Sequence, residues 1–199
     1  GALVMIGRSS PQGTSFPTLE VNNQRGGYLV GAHMAGASTS CRRIAYLGGE
    51  EGDRPTMERF EGLRQALEDA GCLERLVPSE PGSWSYGAWT VESGQERARA
   101  LFEAEPELDA VFAANDLLAV GVARAAEERG LQIGRDLALV GYDDIPGSRY
   151  HNPPLTTVAQ PTAEMGRLAV RALIAQIDDA AMPETLHLEP TLVCRASSA

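Results

Sequence analysis

Two adjacent carboxylates, Asp143 and Asp144, follow the apolar run Leu137–Val140 through Gly141 and Tyr142. Neighbouring acids repel and are costly to desolvate unless something pairs with them, so this pair marks either a turn or an edge that holds a ligand. Other residues able to do polar chemistry fall in the same kind of place. The short apolar runs of the chain end at Gly7-Arg8, Asn22-Asn23, Gly48-Gly49, Asn115-Asp116, Asp143-Asp144 and Gln160. Carboxylates accept from hydroxyls, while arginine and amide groups donate to ring or hydroxyl oxygens. An aromatic platform covers the apolar face of a sugar or a base. Trp84, in a loop bounded by Pro78, Pro81 and Gly82, is a candidate platform, with a core tryptophan as its alternative reading. The set suits a polyhydroxylated small molecule.

Other chemistries find less support. No GxGxxG phosphate loop occurs, and Gly48-Gly49-Glu50-Glu51-Gly52 carries acids where a phosphate needs amides and cations. No GxSxG is present, and His33, His151 and His187 have no visible nucleophile beside them. Asp143 and Asp144 lack a spaced third ligand, so no metal is expected. All 17 of the Lys+Arg residues are arginine. Without lysine there is no Walker lysine, no Schiff base and no phospho-receiver lysine. Cys41, Cys72 and Cys194 are far apart and read as free thiols of a reducing, cytoplasmic compartment. No cofactor is expected, and no enzymatic activity.

The elements that must position these residues are legible from periodicity. Strands are predicted over Leu3–Ile6, Thr18–Val21, Ile44–Leu47, Ala110–Ala113, Leu137–Val140 and Leu155–Val158, with strand-like segments at Glu184–His187 and Thr191–Cys194. Helices are predicted over about 25–37, 57–70 and 86–103, after Asn115-Asp116 up to Gly130, and from Pro161 as a first-turn proline. Strand–helix alternation implies an α/β protein with parallel sheets and helices on both faces, whose ligand crevice lies outside the C-terminal ends of the strands. The net charge of −10 argues against nucleic-acid binding by this surface. No window of 18 apolar residues predicts a membrane span. The apolar start, Gly1–Ile6, is not read as a signal peptide.

The stretches VNNQRGGYLVGAHM (21–34), RRIAYLGG (42–49), ERFEGLRQALEDAG (58–71), GSWSYGAW (82–89), the segment 109–144 ending in VGYDD, and PPLTTVAQPTAEMGRLAV (153–170) resemble the effector-binding core of lactose-repressor/galactose-repressor (LacI/GalR) transcription regulators. The resemblance runs in order along nearly the whole chain. It implies a periplasmic-binding-protein-like fold of two α/β lobes that close on a small effector, a sugar or sugar derivative before a purine. It implies that residues 1–21 and 160–187 are a remainder of the N-terminal lobe, and that 22–159 and 188–199 form the C-terminal lobe. Operator DNA would be bound through a helix-turn-helix head absent from this chain, in a homodimer. By motif, the effector contacts fall on Arg59, Trp84, Asn115 and Asp143, with Gln160 at the crossover between lobes. Asp144 and Asp116 are expected to hold a loop or cap a helix. The chain departs from the family pattern at Ser40-Cys41, where many members have Gly-His, and at Ile6, which is polar in some. A transport-linked sugar-binding protein of the same fold is the rival reading, and a sugar-directed enzyme with Asp143 as base is a third.

Overall fold

The computed structural model describes residues 2–7, 16–36, 41–78, 86–178 and 185–199. In chain order the elements are β1 (Met5–Ile6), β2 (Thr18–Val21), α1 (Asn23–Ala35), β3 (Ile44–Leu47), α2 (Arg54–Asp69), α3 (Val91–Ala104) and β4 (Ala110–Ala113). Then follow α4 (Asp116–Glu128), β5 (Ala138–Asp143), β6 (Thr156–Ala159), α5 (Thr162–Ile177), β7 (Thr185–Leu188) and β8 (Thr191–Val193). The chain forms two compact units, Gly1–Asn22 with Gln160–Pro190, and Asn23–Ala159 with Thr191–Ala199.

The smaller unit has a parallel sheet in the order β1-β2-β7. Leu19, Val21 and Leu188 of that sheet share a core with Met165 and Ala169 of α5. The larger unit has the order β3-β4-β5-β6-β8. Every residue of β3 and of β4 is buried, so both faces of this sheet are covered. The α/β architecture is therefore as the alternation predicts, with one exception. β8 runs antiparallel to β6, with Val158 opposite Leu192, because the chain returns to this sheet from the smaller unit at its open edge.

The element boundaries shift for local reasons. β5 does not stop at Val140. Gly141, Tyr142 and Asp143 pair with Thr157, Val158 and Ala159, so the first acid of the pair belongs to the ladder. α2 starts at Arg54, ahead of the expected position, because the Asp53 side chain caps it by accepting from the Thr56 amide at 3.1 Å, with a proline in its first turn. α3 starts at Val91, not 86, where the Thr90 hydroxyl accepts from the Ser93 amide. Pro161 stands at the N-cap of α5, just outside the first turn.

α1 and α2 lie in close contact because glycines face each other. A Cβ on Gly27 would sit 2.0 Å from the carbonyl oxygen of Arg59, and one on Gly62 would sit 2.0 Å from that of Gln24. Only hydrogen fits there, and the approach fixes where α2 presents Arg59.

Candidate functional site

Arg59 projects from α2 and is only 6% exposed. Its Nε donates to Asn23 Oδ1 at 2.9 Å, at the start of α1, and its Nη1 donates to the Ala114 carbonyl at 2.5 Å, just past β4. The guanidinium stacks on the Tyr142 ring, 3.6 Å from its centroid, with the Trp89 ring at 5.8 Å. Both aromatic faces favour the cation. Among the described residues no carboxylate forms an ion pair with it, so a nearly buried positive charge rests on an amide, a carbonyl and two rings. The arrangement offers positive potential to an oxygen-rich group.

Trp89 reaches this place because the loop after β3 has no side chain in its way. A Cβ on Gly49 would lie 2.0 Å from the indole carbons. Arg97 secures the same loop by donating to the Gly48 carbonyl at 2.8 Å, and burial lowers its pKa to about 10. Tyr142 is fully buried in β5, its hydroxyl has no hydrogen-bond partner among the described residues, and burial above all raises its pKa to about 12.

Asn115 caps α4, its Oδ1 accepting from the Leu118 amide at 2.7 Å. Its expected role as a donor to a ligand therefore falls to Nδ2 alone, which makes no hydrogen bond to the described residues. Asp116 is 1% exposed and organises the loop beyond β5. It accepts from the Ile145 amide at 2.9 Å, the Ser148 hydroxyl at 2.6 Å and the Thr157 hydroxyl at 2.6 Å. Burial pushes its pKa up, and these hydrogen bonds act against that shift.

Asp143 ends β5 with φ of 112°, and Asp144 follows with φ of 51°. Two successive non-glycine residues in the positive-φ region hold a conformation that costs of order 1–3 kcal/mol each, and such backbone concentrates at functional sites. Asp143 is partly exposed. Asp144 pairs with Arg195, Nη2 to Oδ1 at 2.6 Å. Gln160 directly follows β6 and is grouped with the smaller unit. Trp84 lies outside the described residues.

The larger unit thus brings Arg59, Asn115 and Asp143 to the C-terminal edge of its sheet, the edge where ligands of open α/β sheets bind. Sequence reasoning missed Trp89, Tyr142, Asn23 as the partner of Arg59, and Arg195. Trp89 sits in the same aromatic segment as Trp84, which was the available signal. A cavity of about 470 Å³ lies at the opposite edge of this sheet, lined by residues that include Arg42, Asp109, Arg135 and Asp136. Its arginines and aspartates already approach one another, Arg42 with Asp109 at 3.6 Å and Arg135 with Asp136 at 3.7 Å. Among the described residues no His/Cys/Asp/Glu group could hold a metal ion, and no helix is long and apolar enough to cross a membrane.

Mostly parallel sheets in two units, with the chain passing between them three times, make a periplasmic-binding-protein-like α/β protein. Residues 34–198 match the family model of the periplasmic binding protein-like domain, and the chain belongs to that family. The chain is similar to the HTH-type transcriptional repressor PurR of Mannheimia succiniciproducens, 33% identical over 178 residues that make up 88% of this chain and 51% of PurR. Among solved structures it resembles the transcriptional regulator CelR in complex with cellobiose, with a TM-score of 0.83 and 34% identity, covering 98% of this chain and 58% of CelR. It also resembles a LacI-family transcriptional regulator from Enterococcus faecium with bound ribose, with a TM-score of 0.84 and 27% identity, covering 100% of this chain and 70% of that one. The chain spans about half the length of the curated relatives it matches.

Proposed function

We propose that this chain is the effector-binding part of a LacI-type transcriptional regulator, and that it takes a sugar or sugar derivative at the strand-end edge of its larger unit. The observation that carries this reading is Arg59, a nearly buried cation with no carboxylate partner among the described residues, on the same sheet edge as Asp143. Arg59 and Asn115 donate to ligand oxygens, Asp143 accepts from hydroxyls, and Trp89 adds an apolar ring face. Cellobiose and ribose in the two similar structures support a polyhydroxylated ligand.

The two units are the lobes of the effector-binding fold. The effector acts by binding one arrangement of the protein better than another, and a coupling of about 1–3 kcal/mol is enough to switch a regulator. The acidic surface of this chain leaves operator contact to a separate DNA-binding head, in a cytoplasmic homodimer. That the named relatives are transcriptional regulators favours this reading over a transport-linked binding protein.

A thermal-shift panel tests it. Ribose, cellobiose, other mono- and disaccharides, sugar phosphates and nucleobases are each added at fixed protein concentration. A ligand at 100 times its dissociation constant adds about 2.7 kcal/mol of stability. The expected result is a sugar hit that disappears in Asp143→Ala, with the unliganded variant as folded as the parent. A hit restricted to nucleobases, or one unchanged in Asp143→Ala, overturns the assignment.

A further inference from the structure

The conformation that presents Asp143 is held from a distant part of the chain. Asp144, next to it and also at positive φ, is gripped by Arg195 of the segment after β8. The same guanidinium donates through Nη1 to the Leu155 carbonyl at 2.7 Å. Asp144 and Arg195 side chains are 18% and 15% exposed, so water screens this pair little. Arg195 is itself held by its backbone. The Thr156 hydroxyl donates to the Arg195 carbonyl at 2.9 Å and accepts from the Arg195 amide at 2.8 Å. Ser197 bridges two strands, donating to the Leu139 carbonyl at 2.5 Å and accepting from the Thr156 amide at 2.8 Å. The guanidinium therefore grips Asp144 from a rigid base.

We infer that Arg195 is a positioning residue for the ligand edge: it fixes Asp144 in its positive-φ conformation and thereby sets the direction in which Asp143 offers its carboxylate. The Asp144 amide also donates to the Thr157 hydroxyl at 3.3 Å, so the backbone is held from β6 and the Asp144 side chain from Arg195, in a conformation that favours glycine. The inference rests on the reading of Asp143 as a ligand residue. A plain stabilising ion pair would act on the whole unit, whereas a positioning residue acts on the strand end.

Amide hydrogen exchange followed by NMR on the full chain separates these roles. In Arg195→Met the amides of Asp144 and Ile145 exchange about tenfold faster or more, while those of Phe112 and Leu139 in the core strands keep their protection. Arg195→Lys, which retains charge and a donor, recovers part of the loss. Unchanged exchange at Asp144 and Ile145, or an equal loss at Phe112 and Leu139, overturns the inference. If Arg195→Met does not fold, the double variant Arg195→Met/Asp144→Asn removes the unpaired, partly buried charge and is read by the same criterion. With the sugar that shifts the parent protein, Arg195→Met should bind about tenfold more weakly or worse, the equivalent of 1.4 kcal/mol. Equal affinity overturns the positioning role and leaves the sugar reading intact. Local loosening in a protein that takes no sugar supports the positioning role and refutes the sugar reading.

Discussion

At the scale of single residues, the candidate site is a set of polar groups already committed to the fold on one side. Arg59 has two of its nitrogens engaged, and Asn115 has its oxygen engaged. Asn115→Ala should cost about 1 kcal/mol from the lost helix cap, measured by urea denaturation without ligand. Tyr142 presents the opposite case, a buried hydroxyl with no hydrogen-bond partner among the described residues. Tyr142→Phe removes a group whose desolvation is uncompensated, so stability should be unchanged or raised by about 1 kcal/mol. A loss of that size in the same denaturation experiment would show that the hydroxyl has an acceptor. Asp143 was legible because two adjacent acids at the end of an apolar run demand an explanation. The surroundings of Arg59 were not, because they are assembled from α1, β4, β5 and the turn before α3, and periodicity cannot report which distant ring lies under a guanidinium. Asn115-Asp116 suited a cap and a ligand contact equally well on residue type alone.

At the scale of elements, the site depends on how closely α1 and α2 approach. Gly27→Ala places a methyl group against the backbone of Arg59 itself. Overpacking of this kind costs typically about 1–3 kcal/mol, and here the contact is with backbone, which yields less than a side chain. The expected outcome is a lowered melting temperature together with weakened ligand affinity, since α2 and Arg59 move as one. A variant with parental stability and affinity would show that the two helices separate freely. The strands were legible to within a few residues because β3 and β4 are short apolar runs buried on both faces. The direction of β8 was not, since a strand-like run of three or four residues carries no record of whether its neighbour is parallel. The extension of β5 to Asp143 was hidden for a related reason. Acidic residues are poor strand formers, and pairing with β6 overrides that preference.

At the scale of the whole molecule, stability should depend on pH through one half-buried and one buried group whose effects have opposite sign. His33 of α1 contacts the Ser198 hydroxyl at 2.8 Å and is half-buried, and desolvation lowers its pKa below 6.5. The unfolded chain then takes the proton first, so stability falls as pH drops through 6.5 towards the folded value. Asp116 works the other way. Its folded pKa is raised above 3.8, so its contribution is present below that value and lost as pH rises through the folded pKa. Melting temperatures recorded from about pH 7.5 to pH 5 should decline for the parent and decline less for His33→Gln. An identical slope in both would remove His33 from the account. The fold class could be read from alternation and resemblance.

The larger unit takes in Asn23–Ala159, yet β8, Arg195 and Ser197 join it only after the chain has passed through 160–190 of the other unit. A ribosome adds residues at about 5–20 per second and earlier segments begin folding as they emerge. The four strands β3 to β6 therefore wait with β6 as an open edge while α5 and β7 of the other unit are translated. Only when residues 191–199 leave the exit tunnel does the nascent chain acquire the strand that covers that edge and the arginine that holds Asp144.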